Sequence, residues 1–152
     1  MAAKQEPVAP GCSGYDADFY EWTQSTAELI RQGRMAEVDW EHVAEEIEDM
    51  GKRDHREVRS RLIVLMLHLL QWQFQPEKRT ASWRTTIADQ RRELELVIGD
   101  SPSLRRIPRE NLTPLYPRAV KDAVEQTGMT AKQFPASCPF TAEQILGDFL
   151  PE

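Results

Sequence analysis

An all-α fold follows from three features of this 152-residue chain. Apolar residues recur at spacings of three and four in several long stretches, capping residues and glycines bracket those stretches, and no segment alternates with period two long enough to make a strand. The expected architecture is an up-and-down helical bundle of four main helices, with a long second helix and a short C-terminal helical turn.

Residues 1–14, rich in Pro, Gly, Ala and Ser, offer little to bury and are expected to form a flexible leader before a single helical bundle domain over 15–152. The first helix is expected at about 16–32. Phe19, Trp22, Leu29 and Ile30 lie at helical spacing, Asp16 or Asp18 is placed to cap, and Gly33 is placed to stop it. Asp39 introduces the second helix, whose stripe of Trp40, Val43, Ala44, Ile47 and Met50 resumes as Val58, Leu62, Leu65, Met66, Leu69 and Leu70. Because the two stripes keep phase, and one interior glycine costs only about 1 kcal/mol, a continuous helix through Gly51 is favoured. Pro76 ends it near Phe74.

Ser82 is the expected cap of a third helix carrying Trp83, Ile87, Leu94, Val97 and Ile98, with its end at Gly99. Ser101-Pro102 starts a short turn. Pro108, Pro114 and Pro117 predict an irregular stretch, after which a fourth helix uses Tyr116, Ala119, Val120, Ala123 and Val124 and stops at Gly128. Thr141 and Gln144 form a capping box for the last turn, with Phe140 placed to staple onto Ile145.

The net charge of −6 argues against a chain that is basic overall, as a general nucleic-acid or anionic-membrane binder would be. Charge is unevenly spread: 13 acids against 5 bases over 16–57, and 10 bases against 6 acids over 58–110. Cys12 and Cys138 are far apart and form no C-x-x-C, which leaves neither a zinc ribbon nor a thiol redox motif. The leader lacks the apolar core of a signal peptide, and no stretch approaches the roughly 18 uninterrupted apolar residues of a membrane span. A cytoplasmic protein with no membrane partner is expected.

The acidic part of the second helix suggests metal chemistry. Di-metal bundles take carboxylates and Glu-x-x-His pairs from facing helices, and His42, Glu45, Glu46 and Asp49 lie within two turns. A metal-dependent bundle enzyme is therefore one alternative. Against it, His42, His55 and His68 are 13 residues apart in succession, about 20 Å along a helix, so they do not converge. A site would need further carboxylates from the first helix, such as Asp18, Glu21 or Glu28. A solvated acidic face is the commoner explanation, and no cofactor is expected. His68, inside VLMLHLLQW, reads as a core histidine hydrogen-bonded to a neighbour.

A second alternative is nucleic-acid binding. Lys78, Arg79, Arg84, Arg91, Arg92, Arg105, Arg106 and Arg109 interleave with Trp72, Phe74 and Trp83, a pairing that suits stacking and phosphate neutralisation. Glu77, Asp89, Glu93 and Glu95 dilute the patch, and pairing within the chain explains the same residues. Trp72 and Trp83 flank the turn PEKRTA, where their rings are expected to lock the second and third helices into a hairpin. Glu45, Glu46 and Asp49 are placed to reach Arg84 or Arg91 across it. No nucleophile with a base and no phosphate loop stands out. The leading expectation is a non-enzymatic protein-interaction or regulatory module, with a protein partner or a homodimer formed along the second helix.

The blocks EEIEDMG, LLQWQFQP, SWRTTI and SPSL, set within YDADFYEWTQSTAELIRQGR at one end and FPASCPFTAEQILGDFLP at the other, resemble the bacterial family called domain of unknown function 29. The likeness spans about Tyr15 to Pro151. It implies an α-helical cytoplasmic protein of bacteria and carries over no reaction, cofactor or catalytic residue.

Overall fold

The computed structural model describes residues 14–152. The leader expected over 1–14, with Cys12, falls almost wholly outside them. Five α-helices run in order: α1 (Phe19–Arg31), α2 (Trp40–Phe74), α3 (Ala81–Asp100), α4 (Ile107–Thr127) and α5 (Ala142–Leu146). Short 3-10 turns stand before α2, α3 and α4 and between α4 and α5. The described residues contain no strand, and the protein is an all-α helical bundle. No described helix is long and apolar enough to cross a membrane.

By its internal contacts the chain divides into two compact units, Met1–Met50 and Gly51–Glu152. In the described part of the first, the Asp18 carboxylate accepts the Glu21 N–H and caps α1, so the helix begins at Phe19. Gly33, at φ +72°, ends it in a Schellman arrangement. The Gly33 N–H bonds the Ile30 carbonyl, and the Arg34 N–H bonds that of Leu29. Trp22, Thr26, Leu29 and Val38 are buried. Asp39 caps α2 by accepting the His42 N–H.

The second unit holds the main core. Val58, Leu62, Leu65, Met66, Leu69 and Leu70 of α2 share one cluster with Ile87 and Leu94 of α3 and with Ile107, Leu112, Leu115, Tyr116, Ala119 and Ala123 of α4. Phe134, Phe140, Ala142 and Ile145 close it. Polar side chains tie the helices at the margins: Arg61 donates to Glu57 and to Gln90 of α3, and Gln71 donates to Gln126 of α4. The capping box of Thr141 and Gln144 is present on α5.

Helix α2 runs unbroken through Gly51. Two boundaries differ from the sequence reading. Thr80, not Ser82, caps α3: it has extended backbone, and its hydroxyl accepts the Trp83 N–H, which puts Ser82 inside the first turn. The helix also passes Gly99 and ends at Asp100. Helix α4 begins at Ile107 and carries Pro114 and Pro117 in its interior, where an irregular stretch was expected. Pro108 sits in the first turn, where no N–H is needed. The interior prolines leave the carbonyls of Glu110 and Thr113 without their i+4 donors, and both residues are exposed, so water can serve those carbonyls.

Candidate functional site

In the first unit the predicted acidic cluster is organised around an aromatic ring. Tyr15 stacks on the His42 imidazole with centroids 4.0 Å apart and meets Trp22 edge-on at 5.0 Å. Phe19 packs against both Tyr15 and Trp22. The Tyr15 hydroxyl donates to Glu46 Oε1 at 2.5 Å. That bond, followed by desolvation and the nearby carboxylates of Glu46, Glu45 and Asp49, pushes the phenol up to about 12. His42 Nδ1 lies 2.6 Å from Asp39 Oδ2. The residues offered as metal ligands are thus placed differently: His42 faces Asp39, Glu46 holds Tyr15, and Glu45 is exposed. Among the described residues no three His, Cys, Asp or Glu side chains are grouped to hold a metal ion. Sequence reasoning missed Tyr15 and Asp39 as their partners, although the i, i+3 spacing of Asp39 and His42 was visible.

The hydrogen bond that His42 Nδ1–H donates to the Asp39 carboxylate raises the His42 pKa above the ordinary histidine value, and the same bond lowers that of Asp39. The two shifts work in opposite directions of pH. Asp39's contribution is present above its unfolded titration and lost as pH falls through the lowered value. His42's is present below its unfolded titration and lost as pH rises through the raised value. The pair therefore holds best between about pH 4 and about pH 6.5. In a proton NMR titration His42 should titrate higher in the natural chain than in Asp39→Asn. Equal midpoints would remove the pairing.

Beside this cluster α2 shows an apolar face. At 100° per residue Trp40, Val43, Ala44, Ile47 and Met50 fall in a sector about 120° wide. Trp40 is 49% exposed, Ile47 64% and Met50 61%. The stripe read from the sequence is present, but most of it is not covered. Over 41–49 the rest of the helix surface carries Glu41, Glu45, Glu46, Glu48 and Asp49 beside His42, and no lysine or arginine.

In the second unit His68 is half-buried, and its Nδ1–H donates to the Val64 carbonyl at 2.8 Å. Trp72 is 7% exposed, whereas Trp83 is half-exposed and lies outside the core cluster. The charged groups over the Trp72 ring are Arg79 at 5.0 Å and Arg84 at 5.4 Å, guanidinium carbon to ring centroid. Arg91 is spent on the backbone: Nε donates to the Ile145 carbonyl at 2.9 Å, and Nη2 to those of Gln144 at 3.0 Å and Phe149 at 2.6 Å. Arg92 pairs with Asp89 and Glu93, and Arg109 with Glu143. Arg91, Arg92 and Arg109 of the basic patch are therefore committed within this unit. A cavity of about 730 Å³ lies between α3 and the C-terminal turn, lined by Arg91, Arg105 and Arg109 together with Glu95, Glu143 and Asp148. Its three cations and three acids favour no single ligand charge.

The family model described as Domain of unknown function DUF29 matches residues 15–150. No curated protein and no solved structure matches the chain. The match takes in every described helix, among them α2 and α3, where EEIEDMG, LLQWQFQP and SWRTTI lie. The chain belongs to the family Domain of unknown function DUF29.

Proposed function

We propose that the protein is an interaction module that receives a base-rich amphipathic helix of a partner protein on the N-terminal part of α2. One observation carries the reading: Trp40, Ile47 and Met50 stand exposed in line on one helix face. Large apolar side chains on one face of an acidic helix suit a partner that brings its own apolar stripe with lysines or arginines at the flanks. Methionine and tryptophan add adaptable and large contact area. The cytoplasmic setting belongs to the same reading and is supported by the family resemblance.

A second copy of the chain is the rival occupant. If the same stripes met, Glu46 and Glu48, which flank the stripe on its two sides, would be brought towards the same acids of the other copy, between two helix segments that are acidic throughout, which charge complementarity disfavours. The probe is a synthetic helical peptide of leucine and lysine, titrated against labelled Ile47 and Met50 methyl groups. Binding should move those signals, and Ile47→Glu with Met50→Glu should abolish it. Simple attraction to acid would make the doubly substituted chain bind more tightly. Unmoved methyl signals, or binding that survives the substitutions, would overturn the reading. So would a dimer in light scattering that the same substitutions dissolve, since the face would then belong to a second copy.

A further inference from the structure

The turn between α2 and α3 gathers positive charge on an aromatic floor. Trp72 is buried near the end of α2, and the guanidinium groups of Arg79 and Arg84 both lie over its ring. Arg79 is held in place, since its Nε donates to the Trp72 carbonyl at 2.8 Å and its Nη2 to the Pro151 carbonyl at 3.4 Å. Two carbonyls fix its orientation without neutralising it. Arg84, the fourth residue of α3, makes no side-chain hydrogen bond or ion pair among the described residues; it lies over the indole and also borders a smaller cleft that Glu95 and Asp148 help to line. Thr80 and Thr85 complete the walls of a cleft of about 550 Å³, and no carboxylate lines it.

Two cations brought to one ring repel each other. Cation–π attraction to Trp72 offsets part of that repulsion but leaves both forks charged and partly unused. Four other arginines of the same unit are matched by carboxylates: Arg61 with Glu57, Arg92 with Asp89, Arg109 with Glu143 and Arg118 with Asp122. At Trp72 the counter-charge is missing from the walls. The planar guanidinium presents paired N–H donors that fit the oxygens of a phosphate group.

We propose that Arg79 and Arg84, set against Trp72, form a binding site for the phosphate group of a small molecule. Arg79 is the fixed donor and Arg84 the adjustable one that closes on the anion. Thr80 and Thr85 line the same cleft, and a threonine hydroxyl can donate to a phosphate oxygen. The cleft is larger than a phosphate ion, so the rest of the ligand has room beside it. This inference is independent of the proposed docking face on α2.

The test uses the full chain with inorganic phosphate or glycerol phosphate, in buffer balanced with chloride to constant ionic strength. Arg Nε–Hε signals of Arg79 and Arg84 should shift and saturate with phosphate. Arg84→Gln should weaken that binding at least about tenfold, as expected for loss of one charge-assisted fork, and Arg84→Lys should recover only part. Arg105→Gln, a change at an exposed arginine outside the cleft, should leave the affinity unchanged. Phosphate also stabilises proteins non-specifically, so the melting temperature should rise further with phosphate in the natural chain than in Arg84→Gln. Tighter binding of glycerol phosphate than of phosphate would show the organic part seated in the cleft, and equal binding would make free phosphate sufficient. Signals of Arg79 and Arg84 that do not move, or a phosphate response as strong in Arg84→Gln as in the natural chain, would overturn the proposal.

Discussion

Leu69→Ala should destabilise the protein by about 2–5 kcal/mol, the range for removing a buried leucine and leaving part of its volume empty. Leu69 is fully buried in the cluster that joins α2, α3 and α4. Alanine favours a helix at least as well as leucine, so the loss belongs to packing and not to the backbone. Ile47→Ala, on the same helix, should change stability by no more than about 0.5 kcal/mol, because most of that side chain already faces solvent. Urea unfolding with unchanged slope measures both. A similar cost at the two positions would contradict the difference in cover along α2.

Arg91→Ala should cost about 2–4 kcal/mol, from the loss of charge-assisted bonds to carbonyls and the orphaning of those acceptors. Gln144 and Ile145 lie in the last turn of α5, where carbonyls lack donors from within the helix. Arg91 supplies them from α3 and reaches the Phe149 carbonyl as well. Burial lowers its pKa, with Asp148 acting the other way. Lysine keeps the charge but has no planar fork, so Arg91→Lys should regain less than half of the loss. Denaturant midpoints give the energy, and hydrogen exchange over 144–150 gives the location. Unchanged exchange there would show that the C-terminal turn does not depend on this side chain.

Much of the fold was legible because hydrophobic period and caps are local. Gly51 did not break α2, since Val58 to Leu70 continued the phase of Trp40 to Met50, and the Thr141–Gln144 box marked α5. The period tells which residues share a face, however, and not whether anything covers it. The stripes at 40–50 and 58–70 therefore looked alike, although one is largely exposed and the other buried. Thr80 and Ser82 are both fit caps, and the choice turned on the extended backbone at Thr80. The partners of Arg91 had no signature at all, because they are backbone carbonyls 53–58 residues away. Nor did any pattern mark the approach of Arg79 and Arg84 to Trp72, or of Tyr15 to Glu46.

Helix α4 also implies an order of assembly. Each interior proline costs a helix about 3 kcal/mol, and α4 has two, at Pro114 and Pro117. Leu112, Leu115, Tyr116, Ala119 and Ala123 supply the compensation only when they meet the cluster on α2 and α3. A peptide of residues 107–128 should then be unstructured in water, and α4 should form on a surface already built by the leucines of α2. In that order the longest helix is the template, and the proline-bearing one is moulded to it.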